Sequence, residues 1–213
     1  MSSTKGGAEG LDPRVARSRA VIVTAATEHF LRNGYVGANV DEIAAEARVS
    51  KRTIYNVFGA KEQLFRESLG EALATAERFS RQLSVELGTT DDVAAEVRDA
   101  ATRLAATVLG GPVVRLRRLL IGEAERFPDL AEDYYARAPG RVMASLADGL
   151  RRFHERGLLR IPDPDLAAEH FAFLVMGAPL DRALFATEPP AAEEVAARAV
   201  AGAEVFLRAY LSA

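Results

Sequence analysis

The residues best equipped for chemistry in this chain are cations, and they are crowded together. Positions 47–66 carry Arg48, Lys51, Arg52, Lys61 and Arg66 against Glu62 alone. Thr53, Tyr55 and Asn56 lie among them. Positive charge interleaved with short hydrogen-bonding side chains suits a polyanion, whose phosphates attract the charge and whose base edges take directed hydrogen bonds. Catalytic chemistry has much less to work with. No G-x-S-x-G elbow, Walker loop, G-x-G-x-x-G or H-E-x-x-H run is present. The three histidines, His29, His154 and His170, are too dispersed to suggest a zinc site by spacing. No metal or cofactor is expected. The lack of cysteine excludes disulfides, thiolate metal sites and thiol redox sensing, and fits a reducing cytoplasm.

The elements that must position these cations are short helices. Asn39 can cap a helix whose third residue is Glu42, a capping-box arrangement, with Ile43, Ala44 and Ala47 on its apolar face. Arg48 and Val49 form a turn. Ser50 can then cap a second helix with Ile54, Val57 and Phe58 facing inward, which leaves Lys51, Arg52, Thr53, Tyr55 and Asn56 at its exposed amino-terminal end. This is the geometry of a helix-turn-helix, whose second helix reads base edges in the major groove while the first crosses the backbone. Upstream, Ile22, Ala26 and Phe30 form a stripe on a first helix that ends at Asn33-Gly34. His29 on that helix reads as a packed, hydrogen-bonded core residue.

These residues resemble the TetR family of one-component transcriptional repressors. The resemblance runs through IVTAATEHFLRNGY at 22–35, VDEIA at 40–44, VSKRTIYNVF at 49–58 and KEQLF at 61–65, roughly the first third of the chain. EAERFPDL at 123–130 resembles a stretch found in many members between two later helices. The resemblance implies that Tyr55 and Lys61 hold phosphates, helped by Asn39 or Val40 at the second helix's start, while Ser50, Lys51, Arg52, Thr53 and Asn56 complete the DNA-facing set. Two positions depart from the family pattern. Arg48 stands where the family usually has Gly, so a positive φ there would cost about 1 kcal/mol. Ala60 stands where Ser or Asn is common, so the fourth helix starts without a side-chain cap, at a cost of roughly 1 kcal/mol.

With 213 residues, 49% of them hydrophobic, the chain can bury one sizeable core or two smaller ones. The net charge of −3 is unevenly divided: residues 1–67 hold ten Lys or Arg and eight Asp or Glu, the rest 17 and 22. Positive charge is therefore local to the expected DNA face. No apolar run approaches the roughly 18 residues that span a bilayer, and no signal-peptide core opens the chain, so the expected location is cytoplasmic, away from membranes. The fold class expected is all-α with about nine helices. A disordered arm at 1–12 precedes a three-helix helix-turn-helix domain at 13–66. A helical ligand-binding and dimerisation domain follows at 67–213. The fourth helix, from Lys61, spans roughly 36 Å and can join the two domains.

In the second domain Pro139-Gly140 is expected to kink or split the seventh helix. Arg115, Arg117 and Arg118, opposite Leu116, Leu119 and Leu120, read as a solvated face or as partners of acids one turn away, the alternative being recognition of an acidic ligand. A dimer interface on the last two helices is expected from Leu166, Leu174, Gly177 and Leu184 in one and Val195, Ala199, Ala203, Phe206 and Tyr210 in the other, the alternative being an ordinary core within the chain. By the resemblance, these helices form a four-helix homodimer interface that sets two reading heads on a palindromic double-stranded operator. The effector is expected to be small and largely apolar, near Phe79, Leu116, Leu120, Tyr134, Met143, Phe171 and Phe173. The alternative reading is an all-helical carrier or enzyme whose helix-turn-helix is only structural.

Overall fold

Capping residues set where the helices start, and glycine and proline set where they stop. The computed structural model describes residues 13–211, with side chains at 16–70, 73–74 and 77–211; the arm expected at 1–12 lies outside them. Among the described residues there are ten helices: α1 (Pro13–Gly37), α2 (Val40–Glu46), α3 (Lys51–Phe58), α4 (Lys61–Glu86), α5 (Val93–Leu109), α6 (Pro112–Glu123), α7 (Pro128–Arg137), α8 (Pro139–Glu155), α9 (Pro164–Phe185) and α10 (Ala192–Tyr210). Ten replace the expected nine because Pro139 starts α8 afresh after a non-helical Ala138 (φ −115°, ψ −84°). α1 is broken at Gly34 (φ 70°), where the Asn33-Gly34 stop was read. The chain divides into two compact units, Met1–Leu69 and Gly70–Ala213.

The first unit closes over Ile22, Ala26 and Phe30 of α1, Ile43 and Ala44 of α2, Ile54 and Phe58 of α3 and Leu64 and Phe65 of α4, all buried. Phe65 is gripped by two rings, Phe30 edge-on at 4.9 Å and Tyr35 at 5.1 Å. His29 is buried and its Nε2 lies 2.7 Å from Glu46 Oε2, tying α1 to α2; Arg32 meets the same carboxylate at 3.2 Å. The packed, hydrogen-bonded reading of His29 is what the structure shows. Glu42 does not complete the capping box. Its carboxylate lies 3.9 Å from His29 Nδ1 instead of bonding back to Asn39.

In the second unit α5 lies against α9 and α10, and α9 also meets α8 and α6. Leu104, Leu146, Phe153, Phe171 and Phe206 form the heart of the core, with Phe171 and Phe206 edge to face at 5.3 Å. Gly202 lets α10 approach α9, since a Cβ there would fall 2.4 Å from the Leu174 carbonyl oxygen. The carboxyl end of α4 has carbonyls with no partner of its own, and α8 supplies one: Arg152 donates to Ser84 O at 2.7 Å and from Nε to Leu87 O at 3.0 Å. Among the described residues no helix is long and apolar enough to cross a membrane.

Candidate nucleic-acid interface

The candidate reading surface is built outward from two caps. Asn39 Oδ1 accepts from the Asp41 N–H at 2.8 Å and starts α2. Ser50 Oγ accepts from the Thr53 N–H at 3.0 Å and lies 2.8 Å from Thr53 Oγ1, which starts α3. With Ile54 and Phe58 buried, α3 turns Lys51, Arg52, Tyr55 and Asn56 to solvent as two i,i+4 pairs, Lys51 with Tyr55 and Arg52 with Asn56. Gly59 (φ 74°) then reverses the chain into α4 and its first residue, Lys61.

The nine expected contacts fall into three groups. Arg52, Tyr55 and Asn56 are exposed, and Arg52 has no ion pair among the described residues. Lys51, Ser50, Thr53, Asn39 and Lys61 are exposed or half-exposed but already engaged. Lys51 Nζ meets Asp41 Oδ2 at 2.9 Å, and that carboxylate raises the lysine's pKa through the hydrogen bond and its charge. The pair is open to water and screened by it, so a phosphate can displace it. Lys61 Nζ lies 4.8 Å above the Tyr35 ring and 3.3 Å from Val36 O, which aims the ammonium from the end of α1. The side chain of Val40 is buried in the unit's core. What Val40 can offer an anion is its backbone N–H at the start of α2.

Sequence reasoning missed Tyr35 as the seat of Lys61. The only signal was an aromatic residue just past the Asn33-Gly34 stop. Arg48 has φ 56°, so the positive φ that the turn demands is real and a side chain bears it.

The second unit holds a cavity of about 50 Å³ lined by Phe79, Thr107, Val108, Val113, Leu116, Arg117, Tyr134, Ala138, Pro139, Val142, Met143 and Met176. Of the expected pocket residues, Phe79, Leu116, Tyr134 and Met143 are there. Leu120 is buried away from it, Phe171 is spent on Phe206, and Phe173 is 74% exposed. The α6 stripe facing the cavity is Val113, Leu116 and Arg117, so Arg117 does not belong to a solvated face. Its Nε is buried without a hydrogen-bond partner. Arg118 is also structural, donating to Ala183 O, Leu184 O and Ala186 O at the end of α9. Burial raises the pKa of the Tyr134 hydroxyl, with the Arg117 guanidinium pulling the other way.

The last two helices differ from expectation in which face is free. Val195, Ala199, Ala203 and Phe206 are buried in the core of their own unit, and Gly177 packs on Phe173 of the preceding turn. Leu184 and Tyr210 are partly buried against that core, Tyr210 accepting or donating to His170 Nδ1 at 2.6 Å. The apolar side chains left exposed are Leu166, Phe173, Leu174 and Phe185 on α9 and Val200 and Val205 on α10.

Two family models match this architecture unit by unit. Residues 22–68 match the bacterial regulatory proteins of the tetR family, and residues 95–212 match the AefR-like transcriptional repressor C-terminal domain. The chain belongs to the TetR family of DNA-binding transcriptional regulators. Among its relatives is the HTH-type transcriptional repressor SCO4008 of Streptomyces coelicolor, 33% identical over 164 residues, 73% of this chain and 74% of that protein. A TetR-family regulator from Mesorhizobium loti superposes with a TM-score of 0.84 at 31% identity, covering 94% of this chain and 100% of that one. The flavonoid-responsive regulator FrrA superposes at 0.66 with 27% identity, covering 92% and 98%.

Proposed function

We propose that the chain is a homodimeric repressor that reads a palindromic operator through α2, α3 and Lys61, and that a small, largely apolar effector entering the second unit releases it. In this reading residues 13–66 bind DNA, residues 67–213 bind ligand and dimerise, and the protein works in the cytoplasm without a cofactor. The observation that carries it is the outward face of α3, where Lys51, Arg52, Tyr55 and Asn56 stand exposed above buried Ile54 and Phe58. Two such faces spaced by a two-fold axis meet successive major grooves roughly 34 Å apart.

The effector half of the reading rests on the cavity and on α4. At about 50 Å³ the cavity admits water but not a drug-sized molecule, whose pockets run to about 300 Å³ or more. A ligand must therefore push its walls apart, and one wall, Phe79, belongs to α4. That helix begins in the first unit with Lys61. A ligand that binds only the opened state shifts the equilibrium by its difference in affinity, and coupling of about 1 to 3 kcal/mol is ordinary. Methionines at 143 and 176 give the walls room to repack. The flavonoid-responsive relative supports an aromatic, largely apolar effector class.

The test is a gel shift with DNA flanking the protein's own coding sequence, repeated with compounds selected by thermal shift. A specific shifted band that cavity binders dissolve is expected. Specific binding that no cavity binder weakens would contradict the effector half, and no specific band would contradict the whole.

A further inference from the structure

The cavity is apolar apart from Arg117, Tyr134 and Thr107. Arg117 is the anomaly among them. A guanidinium is always charged and carries five N–H donors, and its Nε is buried here without a hydrogen-bond partner. No carboxylate lies within ion-pair distance of it among the described residues. Its neighbours in α6 do not share this state, since Arg118 is spent on the α9 carbonyls. The side chain as a whole is half-buried and its guanidinium hydrogen-bonds the Tyr134 hydroxyl, so what stands out is a charge without a carboxylate and an Nε donor without an acceptor; buried donors are rarely left so unless something outside the chain supplies one. Tyr134, which is buried, lines the same cavity; its hydroxyl accepts from Arg117 and can itself donate to a ligand.

We infer that the effector is an apolar molecule bearing one anionic oxygen group, a carboxylate or an acidic phenolate, whose oxygens pair with the Arg117 guanidinium and the Tyr134 hydroxyl while its body lies against Phe79, Leu116, Met143 and Met176. This rests on the proposed ligand cavity and names the class of molecule it takes. Arg117 supplies the charge complement that the chain withholds, and a bidentate guanidinium–carboxylate pair is the geometry in which that complement is strongest. Apolar walls around the pair exclude water and add discrimination. A neutral analogue leaves the guanidinium without a counter-charge, so the site binds it less tightly.

The experiment is isothermal titration of the full chain with three matched pairs: octanoate and octanol, cinnamate and cinnamyl alcohol, 2-naphthoate and 2-naphthalenemethanol. At least one acid should bind about tenfold or more tightly than its alcohol, the lower bound for a hydrogen bond to a charged group. In Arg117→Met that acid should fall to the level of its alcohol while the alcohol binds as before. Arg117→Gln, which keeps the length without the charge, gives the same result if Met disturbs folding. Without ligand, Arg117→Met should unfold at the same temperature as wild type or higher, because a partly desolvated charge with no carboxylate partner is removed. A fall of several degrees would mark the arginine as structural and overturn the inference. So would acids binding no better than alcohols, or a preference that survives both substitutions; in either case binding of the alcohols would leave the cavity itself standing. If no member of any pair binds, both the inference and the proposed cavity fail.

Discussion

At the scale of single residues, the proposed DNA face separates charges proposed to position from charges proposed to read. Lys61 is aimed by the Tyr35 ring and the Val36 carbonyl, so its ammonium is a fixed point charge of the kind a phosphate meets. Lys61→Ala should weaken binding to all DNA sequences alike and reduce the salt slope by about one unit, measured by anisotropy across a salt series. An unchanged slope would remove Lys61 from the interface. Arg48 carries a conformational cost at φ 56° that glycine would not. Arg48→Gly should raise stability by up to about 1 kcal/mol in urea unfolding, and a loss would show that the side chain contributes more than the backbone strains. Both residues were visible from the sequence, Lys61 by resemblance and Arg48 as a departure from it. Tyr35 was not, because nothing in a local pattern says that a ring at the end of one helix will lie under a lysine 26 positions later.

At the scale of elements, the helix boundaries were legible wherever a cap or a breaker marks them. Ser50, read as a cap from the sequence, accepts the hydrogen bond that starts α3. Ala60 opens α4 with a carbonyl but no side chain to cap it, its oxygen taking the Leu64 N–H at 3.1 Å. Ala60→Ser should therefore stabilise the protein by about 1 kcal/mol in chemical denaturation, and no gain would mean the first turn is already satisfied. What was not legible is which neighbour covers an amphipathic face. The stripe Val195, Ala199, Ala203 and Phe206 was correctly apolar, but periodicity cannot distinguish a partner subunit from the chain's own α5. The same limit misplaced Arg117: three arginines in four positions cannot share one face, and only packing decides which turns inward. A pH dependence belongs to this scale as well. Arg137 on α7 hydrogen-bonds Glu77 on α4 at 2.8 Å and holds its carboxyl below the ordinary 4.5. Because the folded value is the lower one, this stabilisation is complete above pH 4.5 and disappears as pH falls through the folded value. Acid unfolding of wild type should consequently be steeper than that of Glu77→Gln, and superposable curves would contradict the tie.

At the scale of the whole molecule, the proposed function calls for two reading heads, and the exposed apolar side chains of α9 and α10 are where a second copy is proposed to dock. Phe173, 74% exposed, is the most direct probe, because Ala203 is buried and a charge there would test folding rather than association. Phe173→Arg should shift the protein to monomer by light scattering at low micromolar concentration and lower operator affinity with it. A mutant that stays dimeric would move the interface elsewhere. The central claim is that this chain reads DNA through the outward face of α3 as a symmetric pair, and a nuclease footprint on the DNA flanking its own gene tests it most directly. Wild type should protect a short palindrome whose half-site centres lie about one helical turn apart or a multiple of it. The Lys51→Ala, Arg52→Ala, Tyr55→Ala triple variant, folded and unchanged in oligomeric state, should protect nothing. Protection that persists in the triple variant, or a wild-type footprint without two-fold symmetry, would contradict the account.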